Sequence, residues 1–211
     1  MIFFCVCIVK ITKIKSRVIY SVVIVIFAYK SFFTMEIKIL DHTFVPFLSE
    51  EQIKEEVKRV ANEIGNDLKN EVPVFIGVLN GSFMFLSDLM KEYKHPAEIS
   101  FVKMASYEGT TSTNQVTQLL GLDIDITDKH VVLVEDIVDT GNTIVELYKI
   151  INRYKIKSVR IATLFFKPEA YTKDISLDYV GFKIPNKFIV GYGLDYNKQG
   201  RNIPAVYQIK Y

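Results

Sequence analysis

Cysteine is almost missing from this chain: of 211 residues only Cys5 and Cys7 carry a thiol. That excludes a disulfide framework or a thiolate metal site in the rest of the chain, and it is consistent with a reducing compartment. Acids are missing from the start. Residues 1–34 hold Lys10, Lys13, Lys15, Arg17 and Lys30 but no aspartate or glutamate. The formal net charge of +2 therefore misleads, because without those five cations the chain has 21 basic against 24 acidic residues, a net of −3. No basic surface for nucleic acid is implied. The apolar stretch 18–29, broken only by Ser21, spans 12 residues, whereas a helix crossing a bilayer needs about 20. Internal repeats, low-complexity segments, a Gly-x-x-x-x-Gly-Lys-Ser/Thr loop and a Gly-x-Gly-x-x-Gly fingerprint are all lacking.

At 49% hydrophobic and 24% charged residues the composition is that of a globular protein of one ordinary domain with a small appendage. The appendage is the apolar, basic leader 1–34, and three readings compete for it. A signal peptide is disfavoured by the second apolar run ahead of the basic stretch and by the lack of a small-x-small cleavage site. A membrane-surface anchor is the second reading. The third, adopted here, places the leader outside the functional protein, with a domain spanning 35–211 that begins at Met35.

Within that domain Ser49-Glu50-Glu51-Gln52 has the form of a capping box, and Ile53, Val57, Val60, Ala61, Ile64 and Leu68 follow at helical spacing. Residues 73–79 read as a buried strand, 83–93 as a helix, 98–104 as a strand, and 106–117 as a polar, flexible loop. Residues 129–135 and 158–166 read as further strands buried on both faces. Alternation of this kind gives an α/β domain with a mainly parallel sheet.

Between the last two strands lies Glu135-Asp136-Ile137-Val138-Asp139-Thr140-Gly141-Asn142-Thr143, followed by Ile144, Leu147, Ile150, Ile151 and Tyr154 at helical spacing. A helix start offers unpaired N–H groups and the positive end of a dipole, to which Thr140 and Thr143 add hydroxyls, so this turn suits a phosphate. Carboxylates beside a phosphate repel it unless they hold a cation or bind hydroxyls, so the pairing points to a sugar phosphate with Mg²⁺. The bland alternative is a pair of solubilising acids ahead of an ordinary helix cap.

The stretch resembles the phosphoribosyl-pyrophosphate (PRPP) loop of type I phosphoribosyltransferases. A second segment, from Asp178 through Phe188-Ile189-Val190-Gly191-Tyr192-Gly193-Leu194-Asp195 to Arg201-Asn202, is similar to the carboxy-terminal region of hypoxanthine-guanine phosphoribosyltransferases. The resemblance implies a type I phosphoribosyltransferase fold with a small hood formed by the chain ends. It also implies transfer of the phosphoribosyl group to hypoxanthine or guanine, Mg²⁺ as cofactor, cytoplasmic location, and a homo-oligomer, dimer or tetramer. Carried over residue by residue, Glu135 and Asp136 bind ribose hydroxyls and metal, and Asp139 handles the proton at purine N7. Asp139, Thr140, Gly141, Asn142 and Thr143 cradle the 5′-phosphate. Asn80, Gly81 and Ser82 bind pyrophosphate through their backbone together with Arg201, although the family's usual basic residue is replaced by Asn80. Ser106 and Tyr107 open a mobile lid. Lys167 donates to the purine 6-oxo group, Phe188 stacks on the base, Ile189 contacts it through backbone, and Asp195 meets both the base side and metal. A PRPP-sensing regulator on the same fold, or a transferase for another base, are the alternatives; a regulator would need no base-site set.

Overall fold

The structure, a computed structural model, describes residues 9–14, 17–22, 35–106 and 116–211. The chain divides into two units, Met1–Met35 and Glu36–Tyr211. The first contains β1 (Val9–Ile14) and β2 (Arg17–Val22), an antiparallel pair with Val9 opposite Val22. Among the described residues no helix is long and apolar enough to cross a membrane.

The second unit runs β3 (Ile37–Ile39), β4 (His42–Leu48), α1 (Glu50–Leu68), β5 (Val74–Leu79), α2 (Phe83–Glu92), β6 (Glu98–Ser106), β7 (Val116–Leu120), β8 (His130–Val138), α3 (Asn142–Ile151), β9 (Ser158–Phe166), β10 (Tyr179–Lys183), β11 (Ile189–Val190) and β12 (Val206–Ile209). Helix α1 starts where its capping box predicts: Ser49 Oγ accepts from the Gln52 N–H at 3.2 Å and Gln52 Oε1 from the Ser49 N–H at 2.9 Å.

The main sheet has the order β10-β9-β8-β5-β6-β7, parallel throughout except for the antiparallel edge β7. The uninterrupted apolar run of β8 is explained by burial on both faces. Val132 and Val134 pack with α1 and α2, while Val131 and Leu133 pack with Ile144, Leu147 and Ile151 of α3. Each such fully buried side chain contributes about 1.5–3 kcal/mol, so this strand is the mechanical centre of the domain. A second, smaller sheet, β11-β12-β4-β3, joins the domain's two chain ends into the hood.

Strand order fixes where a ligand can sit. From β5 the chain crosses through α2 to β6 on one side, and from β8 it crosses through α3 to β9 on the other. The β5–β8 ladder runs only from Val74–Val131 to Gly77–Val134, after which the two strand ends part. Loops leaving in opposite directions open a crevice at the carboxyl edge of the sheet, the usual ligand position in open α/β folds.

Several boundaries differ from the sequence reading. Strand β8 continues to Val138, so Glu135 is not its last residue and Asp136 lies within the strand instead of beyond it. Helix α3 begins at Asn142 and stops at Ile151, leaving Tyr154 outside and exposed. The segment read as a loop to residue 117 is already strand from Val116, because β7 gains hydrogen bonds from β6 that no local pattern announces. The hood strands and β10 have no counterpart in the local sequence pattern, and β3, β11 and β12 are no longer than four residues.

Candidate active site

Two adjoining cavities, of about 290 and 360 Å³, occupy the crevice and share Gly81, Asp136 and Ile137. Glu135 and Thr143 line the first; Asp139, Lys167, Phe188, Ile189, Asp195 and Arg201 line the second. The structure thus gathers residues from β8, the end of β9, the loop after β5 and the hood.

Glu135 is buried, and Asp136 accepts the Ile137 N–H at 2.9 Å. Burial holds the Glu135 carboxyl well above the usual range, and the adjacent Asp136 charge pushes in the same direction. Burial raises Asp136 to about 6 against the pull of the Ile137 amide and Arg201. Two neighbouring carboxyls that resist ionisation are a fitting pair for a divalent cation, whose charge would offset both desolvation and mutual repulsion. Mg²⁺ in particular is held by one or two carboxylates plus substrate oxygens. Among the described residues, however, no three metal-ligating side chains converge. Asp195, the third residue expected to meet metal, lines the second cavity together with Asp136. Asp195 is held in the hood by Arg201 Nη2 at 2.5 Å and by the Lys198 N–H at 2.7 Å.

At the phosphate turn, Gly141 takes φ +83° as the residue before α3, and no side chain caps that helix. Its first N–H groups are therefore available to an anion. A Cβ on Gly141 would lie 2.5 Å from Tyr171 Cε2, so both conformation and space demand glycine. Thr140 and Asn142 are exposed, and Thr143 faces the first cavity.

Gly81 lies so close to β8 that a Cβ there would overlap the Asp136 carboxylate. Asn80 is exposed, and the Leu79–Asn80 peptide is cis. Ser82 is buried, and both its hydroxyl (2.7 Å) and its amide (3.3 Å) bond Val78 O. Its donors close the turn, and of the three loop residues Gly81 is the one that lines both cavities.

Lys167 sits just past β9, its amide bonded to Val138 O at 3.0 Å, and its ammonium reaches Asp139 Oδ2 at 3.0 Å. The lysine side chain is 10% exposed and the aspartate 44%. Phe188 is 39% exposed. Phe44 (6.3 Å) and Tyr196 (5.9 Å, edge-on) brace its ring from behind. Ile189 lies on β11, an edge strand that among the described residues pairs with β12 alone, so its other backbone edge has no described strand partner. Arg201 Nη1 donates to Gly193 O at 2.6 Å. Ser106 ends β6, and Tyr107 with the rest of the expected lid to residue 115 lies outside the described residues. Sequence reasoning missed Ile137 and Leu194 as cavity walls and Tyr196 as the brace of Phe188. Ile137 alone carried a signal, its place inside the carboxylate run.

Comparison with known proteins agrees with this geometry. The phosphoribosyl transferase domain family matches residues 47–197. A hypoxanthine-guanine phosphoribosyltransferase of Streptococcus mutans is 43% identical over 163 residues, covering 77% of this chain and 91% of the relative. One from Aquifex aeolicus is 39% identical over 165 residues, covering 77% and 93%. The crystal structure of a Bacillus anthracis hypoxanthine-guanine phosphoribosyltransferase superposes with a TM-score of 0.75 at 40% identity, covering 82% of this chain and 100% of that one. Sheet order, hood, carboxylate strand and these similarities together place the chain in the phosphoribosyltransferase family, among the hypoxanthine-guanine phosphoribosyltransferases.

Proposed function

We propose that this protein transfers the 5-phosphoribosyl group of PRPP to hypoxanthine or guanine, releasing pyrophosphate and forming IMP or GMP, as a step of purine salvage. The observation that carries the reading is the convergence of Lys167, Asp139 and the open face of Phe188 on a cavity that shares Asp136 with the carboxylate strand. A flat aromatic face suits a purine, and an ammonium suits its 6-oxo acceptor.

The N9–C1′ bond forms as the C1′–oxygen bond breaks, and the electron pair leaves with pyrophosphate. The base gives up one proton, and Asp139, half exposed in the same cavity, accepts it at N7. Lys167 spends one of its three donors on Asp139, which fixes the carboxylate, and keeps others for the 6-oxo group. Glu135 and Asp136 bind the ribose hydroxyls, the uncapped start of α3 binds the 5′-phosphate, and Asn80, Gly81 and Arg201 bind pyrophosphate. Mg²⁺, held by Glu135 and Asp136, would neutralise the charge of the leaving pyrophosphate. We place the enzyme in the cytoplasm, where PRPP is made, and expect a homo-oligomer, since Ile99 (46% exposed) and Phe101 (37%) lie open on β6. No nucleic-acid partner and, for 35–211, no membrane partner is proposed.

The decisive experiment is a purine panel with PRPP and Mg²⁺, reading pyrophosphate release. Hypoxanthine and guanine should turn over and adenine should not. PRPP binding with no pyrophosphate release on any base would leave a PRPP-binding regulator as the better reading.

A further inference from the structure

The hood turn Gly191-Tyr192-Gly193 is fastened to the pyrophosphate side of the crevice at two points. Gly193, at φ +96°, packs so close to the loop after β5 that a Cβ on it would overlap the Gly81 carbonyl. Next to it the Tyr192 side chain is fully buried, and its hydroxyl donates to Asp88 Oδ2 at 2.7 Å. Asp88 belongs to α2, the helix that starts directly after Asn80, Gly81 and Ser82. Its other oxygen, Oδ1, is paired with Lys91 at 2.7 Å.

The same turn carries the groups that face pyrophosphate. Gly193 O accepts from Arg201 Nη1 at 2.6 Å, the Gly193 N–H bonds Arg201 O at 2.9 Å, and Arg201 Nη2 pairs with Asp195 at 2.5 Å. Resting on the function proposed above, we infer that Tyr192 and Asp88 are positioning residues: their hydrogen bond sets the Asp195–Arg201 arm at a fixed distance from the Asn80–Gly81 loop, and so controls pyrophosphate and PRPP binding rather than base binding.

The bond has the properties such a tether needs. Burial and the Asp88 carboxylate both keep the phenol protonated, so it remains a donor at any working pH. Removing its hydroxyl leaves the ring and its packing in place. The contact joins two chain regions 104 residues apart, and no local turn geometry can substitute for it. The base site is anchored separately, through Lys167 just past β9 and through Phe44 and Tyr196 behind Phe188.

The test is steady-state kinetics in both directions with Tyr192→Phe, Asp88→Ala and Asp88→Asn, using full-length protein. Tyr192→Phe and Asp88→Ala should each raise KM for PRPP, and for pyrophosphate in the reverse reaction, by about 5- to 50-fold. KM for hypoxanthine should stay within about two-fold. Asp88→Asn retains an oxygen acceptor and should rescue most of the loss. The double variant Tyr192→Phe/Asp88→Ala should be no worse than the weaker single variant. An unchanged KM for PRPP in Tyr192→Phe, or a parallel rise for both substrates that tracks a falling melting temperature, would overturn the tether. Wild-type turnover in the same assay tests the parent reading independently, since a wild type without activity would defeat that reading while the variants alone judge the tether.

Discussion

Lys167 Nζ donates to Asp139 Oδ2 across 3.0 Å, joining the end of β9 to the turn after β8 inside one cavity. A lysine has three donors and no acceptor, so with one donor on Asp139 it can still satisfy a 6-oxo group but opposes the amino group of adenine. A site built around a donor can reject such an analogue by large factors. Adenine is therefore expected to be a very poor substrate, and Lys167→Ala should lower kcat/KM for hypoxanthine far more than for adenine. Measured kcat/KM for both bases in both proteins decides it: an unchanged ratio would show that Lys167 is not the selector.

The same pair makes a second expectation sharper. Asp139→Asn keeps an oxygen for Lys167 and so should preserve the geometry, yet it cannot take a proton. Binding of PRPP should be retained while kcat falls by roughly 10²–10⁴-fold, the range of general acid–base effects. Equilibrium binding of PRPP alongside kcat at saturating substrates separates the two, and an undiminished kcat would remove Asp139 from proton transfer.

The parts of this site that were legible in the sequence are those written locally. Glu135, Asp136 and the Thr140–Gly141 turn sit within one strand-turn-helix unit revealed by its apolar run and the helical spacing that follows, and α1 is marked by its capping box and apolar spacing. What could not be read depends on distant partners. Phe44 reaches Phe188 from the opposite end of the domain, and Tyr192 finds Asp88 from 104 residues away. Strands as short as β11, two residues long, exist only because β12 pairs with them. The pairing of Asp195 with Arg201 likewise follows from how the hood folds and not from any local pattern.

Residues 36–211 form their own unit with both hydrophobic clusters inside it. A protein lacking residues 1–34 is accordingly expected to fold cooperatively and keep full activity. Thermal unfolding and specific activity of the shortened and full-length proteins test this. Aggregation or loss of activity in the shortened form alone would make the leader part of the folded enzyme.

The carboxylate pair predicts an unusual pH dependence. An aspartate in an unfolded chain titrates near 3.9, whereas Asp136 is raised to about 6 by burial. Between those values the folded state holds more protons than the unfolded one, so this group removes stability as pH rises from about 4 through 6. Glu135 is shifted in the same direction and adds to the effect. Asp136→Asn retains an oxygen acceptor for the Ile137 N–H, whose bond to Asp136 is 2.9 Å, while removing the charge. Without divalent cations the variant should therefore gain on the wild type as pH rises from 4 to 7, by several degrees in Tm for a domain of this size, at about 2–4 °C per kcal/mol. Adding Mg²⁺ at pH 7 should raise the wild-type Tm and leave the variant much less affected, because a cation bound between ionised carboxylates stabilises only the protein that has them. Melting curves from pH 4 to 7, with and without Mg²⁺, measure both effects. A Tm difference that stays flat across that range would mean that Asp136 ionises in the folded protein as easily as in water, and the pair would lose its physical claim on a cation.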